Sequence, residues 1–260
     1  MRFSPLCSGS SGNSSFFESG DTRLLIDAGI TGKKAESLLA QIGIDPATLT
    51  GILVTHEHSD HIQGVGVLSR RYGIPVYANA ECFAQMLPLI GNVPAKLMRI
   101  FEPDHDFYIH NVRVFPFSTP HDAAHPVGYT LSCTGRKVSI MTDIGHVETR
   151  MLDAVAESDV LLLESNHDID MLKAGSYPQQ LKARILGRKG HLSNEAAGEA
   201  LVQLHERGIR NVILGHLSKE NNTPDLALVT VQTVLQESGC LSDMFLRVAE
   251  RDMPTCLFEL

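Results

Sequence analysis

The sequence predicts an α/β protein in which sheet packs on sheet and helices lie outside. Three observations predict it. Short apolar runs bounded by turn residues recur along the chain, as buried strands do. Stretches of helical period fall between several of them. The first third carries more consecutive strand-like runs than strict β-α-β alternation would give.

In chain order, the strand candidates are Leu24-Leu25-Ile26, Gly51-Ile52-Leu53-Val54, Pro75-Val76-Tyr77, Val138-Ser139-Ile140-Met141, Val160-Leu161-Leu162-Leu163 and Val212-Ile213-Leu214. The helical stretches are 33–42, 62–72, 80–90, 147–156, 193–207 and 224–238, each close to a capping or turn residue. With 260 residues the chain can bury a substantial core. It shows no linker, internal repeat or low-complexity segment, so a single domain over 1–260 is expected.

Composition narrows the class. Hydrophobic content of 43% and charged content of 20% are globular values and exclude disordered, coiled-coil and collagen-like chains. No run approaches the roughly 18 apolar residues of a membrane span. The opening Met-Arg-Phe-Ser-Pro-Leu-Cys lacks the apolar centre of a secretion signal, so no membrane partner and a cytoplasmic address are expected. Five scattered cysteines (Cys7, Cys82, Cys133, Cys240, Cys256), with no Cys-x-x-Cys pair, suggest neither a disulfide framework nor a thiolate zinc site. A net charge of −8 argues against a uniformly basic surface, while leaving room for a local patch or a bound cation to recruit an anion.

Polar residues fall with a regularity of their own. His56, Asp143, Glu164 and His216 each come directly after, or at the end of, an apolar strand-like run. Strand ends of one sheet would thereby converge on one edge, where open α/β sheets place ligands. The densest stretch is Thr55-His56-Glu57-His58-Ser59-Asp60-His61, which holds three of the chain's 12 histidines. These side chains cannot share one helical face and suit a loop. In an extended segment His56 and His58 point the same way and can grip one cation, and a turn after Ser59 would aim Asp60 and His61 at a second. Imidazole and carboxylate suit zinc, manganese or iron.

The His-x-His-x-Asp-His pattern at His56, His58, Asp60 and His61 resembles the signature of the metallo-β-lactamase superfamily. Its further motifs have counterparts in order: Ser118-Thr119-Pro120-His121, Met141-Thr142-Asp143 and Leu214-Gly215-His216. The resemblance covers essentially the whole chain. It implies a four-layer αββα sandwich, two packed mixed sheets flanked by helices. It also implies two divalent ions, Zn2+ or Mn2+: one held by His56, His58 and His121, the other by Asp60, His61 and His216, with Asp143 bridging. Two such ions against two carboxylates and neutral imidazoles leave about +2, which draws in an anionic ester, and each ion lowers the pKa of its water toward ~7.

The superfamily spans several hydrolytic chemistries, so residues outside this set must choose the bond. Gly190-His191-Leu192-Ser193-Asn194 precedes a helix that Ser193 is expected to cap, with Glu195 in its first turn, and a histidine there is either a surface residue or a phosphate contact. The segment resembles the extra histidine motif of the superfamily's nucleases, in which that side chain contacts the scissile phosphate or assists the leaving group. Between Met171 and Asn194 five basic residues (Lys173, Lys182, Arg184, Arg188, Lys189) and no acidic one form either a phosphate-binding patch or a solvated helix face.

Five further stretches resemble the bacterial YycJ/WalJ group: Ser8-Gly9-Ser10-Ser11-Gly12-Asn13, His121-Asp122-Ala123, Pro126-Val127-Gly128-Tyr129, Glu164-Ser165-Asn166-His167-Asp168 and His216-Leu217-Ser218-Lys219-Glu220-Asn221-Asn222. This resemblance implies a 5′-to-3′ exonuclease acting on DNA. Only 47 residues separate Asp143 from His191, too few for the inserted β-CASP domain of RNase J, so no such insertion is expected.

The expected catalytic residues are thus Asp60, orienting the nucleophile, and His191, serving the leaving oxygen. Ser10, Asn13, His167, Lys189 and Asn221 are candidate substrate contacts. The loop at 8–13 is equally readable as a plain turn, and His167 as a brace for a ligand. His105, His110, His125, His146 and His205 are read as structural. Two rivals stand beside the nuclease: a small-molecule hydrolase (cyclic phosphodiesterase, lactonase or thioesterase) on the same metals, and a non-catalytic protein that retains the fold.

Overall fold

The computed structural model describes residues 1–260. The first half runs β1 (Arg2–Cys7), β2 (Ser14–Ser19), β3 (Thr22–Ile26), α1 (Gly32–Gln41), β4 (Gly51–Leu53), α2 (Ser59–Ile62), α3 (Val65–Tyr72), β5 (Val76–Ala78), α4 (Ala80–Ile90) and β6 (Met98–Ile100). The second runs β7 (Phe107–Ile109), β8 (Val112–Ser118), β9 (Val127–Cys133), β10 (Arg136–Met141), α5 (Thr149–Val155), β11 (Val160–Glu164), α6 (Ile169–Ala174), α7 (Gln179–Ile185), α8 (Asn194–His205), β12 (Asn211–Gly215), α9 (Pro224–Glu237), β13 (Phe245–Val248) and β14 (Phe258–Glu259).

Two seven-stranded mixed sheets result, ordered β14-β1-β2-β3-β4-β5-β6 and β13-β12-β11-β10-β9-β8-β7. In each sheet one half is antiparallel and the other parallel, the change coming at β3 in the first and at β10 in the second. The last strand, β14, leaves the second half and pairs with β1.

Side-chain alternation along the strands separates the layers. Leu24 and Ile26 of β3 and Leu162 of β11 face the core between the sheets with Phe3, Phe17, Val114 and Tyr129. Leu25 of β3 faces the other way, onto Leu38 and Leu39 of α1, Leu68 of α3 and Met86 of α4. Leu161 and Leu163 likewise leave the central core and meet Leu152 of α5, Leu201 of α8 and Val231 of α9. Three cores between four layers follow, which is the αββα sandwich. Each large apolar side chain fully buried there contributes about 1.5–3 kcal/mol relative to exposure. Cys7, Cys82, Cys133 and Cys240 are buried, Cys256 is exposed, and all five are free thiols. No helix is long and apolar enough to cross a membrane.

The six expected helical stretches correspond to α1, α3, α4, α5, α8 and α9. The second begins at Val65 rather than 62, because α2 ends at Ile62 and Gly64 lies against the Ile30 carbonyl, where a Cβ would sit 2.4 Å from the oxygen. Two expectations need correction. The histidine-rich stretch is not all loop: Ser59–Ile62 forms a single helical turn with His58 at its N-cap. Nor do the polar strand ends belong to one sheet, since His56 follows β4 of the first sheet whereas Asp143 follows β10, Glu164 ends β11 and His216 follows β12 of the second. The site therefore lies on a shared edge of both sheets.

Candidate metal centre

Three strand-end residues, Asp27 after β3, Asp143 after β10 and His216 after β12, have left-handed backbone with φ of 59°, 58° and 55°. Each such residue costs on the order of 1–3 kcal/mol and persists only where its surroundings fix it. The sharp change of direction turns the side chain across the sheet edge instead of along the strand.

The side chains meet there in two groups. His56 Nε2 and His58 Nδ1 lie 3.1 Å apart, aimed at one point, and with His121 their ligand atoms all fall within 4.8 Å of one another. Asp60, His61 and His216 form the second group on the same criterion. Asp143 stands between, its Oδ2 3.4 Å from His61 Nε2 and its Oδ1 3.7 Å from His121 Nε2. The structure thus brings together all seven side chains singled out in the sequence.

Whether this set suits cations can be judged from the atoms left over. His121 Nε2 and Asp143 Oδ2 are buried and have no hydrogen-bond partner, although buried polar atoms are nearly always satisfied. In three of the histidines the opposite ring nitrogen is engaged. His61 Nδ1 donates to Asp27 Oδ2 at 2.8 Å, His121 Nδ1 to the Gly190 carbonyl at 3.0 Å, and His216 Nδ1 to Glu164 Oε1 at 3.1 Å. A histidine that ligates a metal through one nitrogen almost always anchors the other in this way. The donor set fits two divalent cations.

Electrostatics agree. Burial lowers the pKa of His56 well below its ordinary value, with His61 and His121 adding to the effect, and burial likewise lowers that of His121. Burial also opposes protonation of His61 and His216, but the facing carboxylates prevail: Asp143, Asp27 and Asp60 push His61 up to about 9, and Asp143, Asp60 and Glu164 raise His216. Burial disfavours the Asp60 carboxylate, yet His61 and His216 more than offset this and hold it below its usual range. Without cations, protons on His61 and His216 neutralise the carboxylates.

His191 faces this cluster, its ring centroid 4.9 Å from that of His121 and 5.2 Å from that of His216. Ser193 caps α8 by accepting from the Ala196 N–H at 3.2 Å, and Glu195 lies in the first turn. His191 Nδ1 donates to Glu164 Oε1 at 2.7 Å, which leaves Nε2 free. Glu164 is fully buried, and its Oε2 accepts the Ile144 and Leu192 N–H groups at 2.8 and 3.3 Å. Burial works against its charge, but His191 and His216 more than offset it and keep the carboxylate ionised. With both oxygens occupied, Glu164 is a brace rather than a ligand.

Glu164, noted in the sequence as a strand-end residue but given no role, and Asp27, not noted there, both brace cluster histidines. Asp27 accepts from Thr55 N and Oγ1 as well as from His61. Both end apolar runs, the same signal that marked His56, Asp143 and His216.

Of the five candidate substrate contacts, only Ser10 lines the cavity over the cluster. Asn13 is buried, with its Nδ2 3.2 Å from His61 Nε2 and its Oδ1 accepting from Gly9 N. His167 is buried, neither ring nitrogen has a partner, and burial lowers its pKa to about 4. Asn221 packs its amide on Ser218 Oγ, and Lys189 is exposed but outside the cavity lining. Asn166, Ser218, Tyr177, Leu181, Arg184 and Ile185 line the cavity instead. The basic stretch is not a uniform patch either: Lys182 is buried with its ammonium on the Lys173 carbonyl at 2.7 Å, while Arg184 reaches the cavity paired with Asp122.

With this geometry in view, the beta-lactamase superfamily domain profile matches residues 22–217. The chain belongs to the metallo-β-lactamase superfamily. Among its relatives in that superfamily, exodeoxyribonuclease YycJ of Bacillus anthracis is 41% identical over 92% of this chain and 90% of its own. Exodeoxyribonuclease WalJ of Streptococcus pneumoniae is 42% identical over 92% and 89%. The crystal structure of the metallo-β-lactamase-fold protein YhfI of Bacillus subtilis, 18% identical, superposes with a TM-score of 0.75 over 100% of both chains. The superfamily thus supplies both the four layers and the cluster of histidines and aspartates at their edge.

Proposed function

We propose that this chain is a metal-dependent exodeoxyribonuclease that hydrolyses DNA phosphodiester bonds from the 5′ end, as a single domain with no β-CASP insertion. The observation that carries the reading is the 41–42% identity, across 92% of the chain, to two proteins named exodeoxyribonucleases. Two divalent ions, zinc or manganese, would be held by His56, His58 and His121 and by Asp60, His61 and His216, with Asp143 available to both. When bound they supply an acidified water and neutralise phosphate charge.

The protein's own groups do the rest. Asp60, the most exposed of the cluster's carboxylates with its side chain 25% accessible, accepts a hydrogen bond from the attacking water and orients it. His191, fixed at Nδ1 by Glu164, presents Nε2 to the leaving oxygen and delivers a proton there. Ser10, Asn166 and Ser218 offer neutral hydrogen bonds to the phosphate.

The test is a cleavage time course on end-labelled, 5′-phosphorylated duplex DNA with zinc or manganese added and Asp60→Ala as the inactive control. His191→Ala should lower kcat by about 10²–10⁴-fold, the usual contribution of a positioned proton donor. Unchanged phosphodiester cleavage by His191→Ala, together with dominant turnover of small esters, would replace the nuclease with a small-molecule hydrolase.

A further inference from the structure

The cavity over the metal cluster is polar on every side but one. Its three apolar lining residues, Tyr177, Leu181 and Ile185, all come from one short segment, the turn before α7 and α7 itself. Leu181 and Ile185 are one helical turn apart and share a face. Apart from the histidines, Tyr177 carries the only aromatic ring in the lining.

This wall is tied rigidly to the catalytic side. The Lys182 ammonium, buried beneath α7, donates to the Lys173 carbonyl at 2.7 Å and fastens α7 to α6. The Ile185 carbonyl accepts from His191 N at 3.0 Å, and the carbonyl of that same peptide bond, Gly190, accepts from His121 Nδ1. A half-buried aromatic and two aliphatic side chains are thus held at fixed distance from the group that serves the leaving oxygen. Metal ions and phosphate have no use for such a surface. A nucleobase does, because each base has a π-face that stacks on an aromatic ring whatever its sequence.

Resting on the exodeoxyribonuclease reading, we propose that Tyr177, Leu181 and Ile185 form the subsite for the base of the terminal nucleotide, whose phosphodiester lies at the metal cluster. The subsite grips one base by stacking and does not read its identity. It favours a terminus with an intact base over an abasic one.

The test uses the full-length, metal-loaded protein and duplex DNA carrying either 2-aminopurine or an abasic residue at the 5′-terminal position, and a matching pair modified at the 3′ terminus. At the end that is attacked, the abasic residue should lower kcat/KM by about ten-fold in the wild type, the scale of one lost stacking contact. Tyr177→Ala should show the same loss on intact DNA and no further loss on abasic DNA, while Tyr177→Phe keeps wild-type behaviour. Quenching of 2-aminopurine on binding, measured with metal present on DNA whose terminal linkage is a non-hydrolysable analogue, should vanish in Tyr177→Ala and persist in Tyr177→Phe. Equal cleavage of intact and abasic termini by the wild type, or undiminished quenching in Tyr177→Ala, overturns the subsite and leaves the exonuclease standing. No cleavage of any DNA by the wild type overturns the exonuclease itself.

Discussion

Glu164→Gln isolates the brace behind both a cluster histidine, His216, and His191, the proposed proton donor to the leaving oxygen. The two side chains are nearly the same size, so packing in this fully buried position is preserved. What changes is the count of acceptors. Glu164 takes four donors, two imidazole N–H groups on Oε1 at 2.7 and 3.1 Å and two backbone N–H groups on Oε2 at 2.8 and 3.3 Å. An amide keeps one oxygen, so one of the two pairs meets an NH2 group instead. Hydrogen bonds to a charged group contribute about 1.5–3 kcal/mol each, so losing a pair removes about 3–6 kcal/mol. The variant also no longer buries a charge, which returns several kcal/mol. Global stability should therefore fall by only about 1–3 kcal/mol, the part of the lost bonds that the relief does not offset.

Function should suffer more. His191 loses the partner that fixes its tautomer, and kcat should drop by about 10²-fold out of the 10²–10⁴ that a positioned proton donor contributes. His216 loses its anchor, and metal affinity should weaken by about 10–100-fold. The assay is kcat on end-labelled DNA across a metal titration, with calorimetric melting alongside. Since both residues act on one proton, Glu164→Gln in a His191→Ala background should reduce kcat little further. Wild-type kcat at saturating metal, or losses that multiply in the double variant, would refute the reasoning.

Two other predictions concern the frame of the site. A Cβ on Gly29 would lie 1.5 Å from the Asp60 carbonyl oxygen, so Gly29→Ala must push the Asp60–His61 turn off its position. It should cost about 1–3 kcal/mol of stability and a fraction of the bound metal, and elemental analysis showing a full metal complement with normal activity would contradict this. In chelator, stability should peak near pH 6.5. His61, raised from 6.5 to about 9, and His216, also raised, contribute stability that is complete below pH 6.5 and lost as pH climbs through about 9. His56, His121 and His167, all lowered by burial, withhold protons that the unfolded chain takes up, so stability falls again below pH 6.5, and further once the depressed Asp60 and Glu164 must protonate. Bound zinc replaces the protons of His61 and His216 and should abolish the alkaline decline. A chelated protein whose melting temperature is flat or rises from pH 6.5 to 9 would rule this out.

Much of the site was legible because its signal is local. A buried strand that ends on a histidine or carboxylate delivers that side chain to the sheet edge, and His56, Asp143 and His216 each show the pattern within a few residues. The same rule would have found Asp27 behind Leu24-Leu25-Ile26. The assignment of β4 to one sheet and β10, β11 and β12 to the other was not legible, since strand pairing is decided by contacts between segments far apart in the chain. The turn at Ser59–Ile62 and the short α6 and α7 contain too few residues to display a helical period. Asn13, His167 and Asn221 look like cavity residues in sequence because they sit beside the cluster motifs. None of the three lines the cavity: Asn13 is held by Gly9 and His61 and Asn221 by Ser218, partners set by the packed chain.

Because the cluster straddles the seam between the sheets, neither half of the protein owns it. The first half supplies His56, His58, Asp60 and His61, and the second supplies His121, Asp143, His191 and His216. A ribosome-bound chain can therefore cut nothing until His216 has emerged and the two sheets have closed on each other. The hazard of a nuclease is thus confined to molecules that have finished folding.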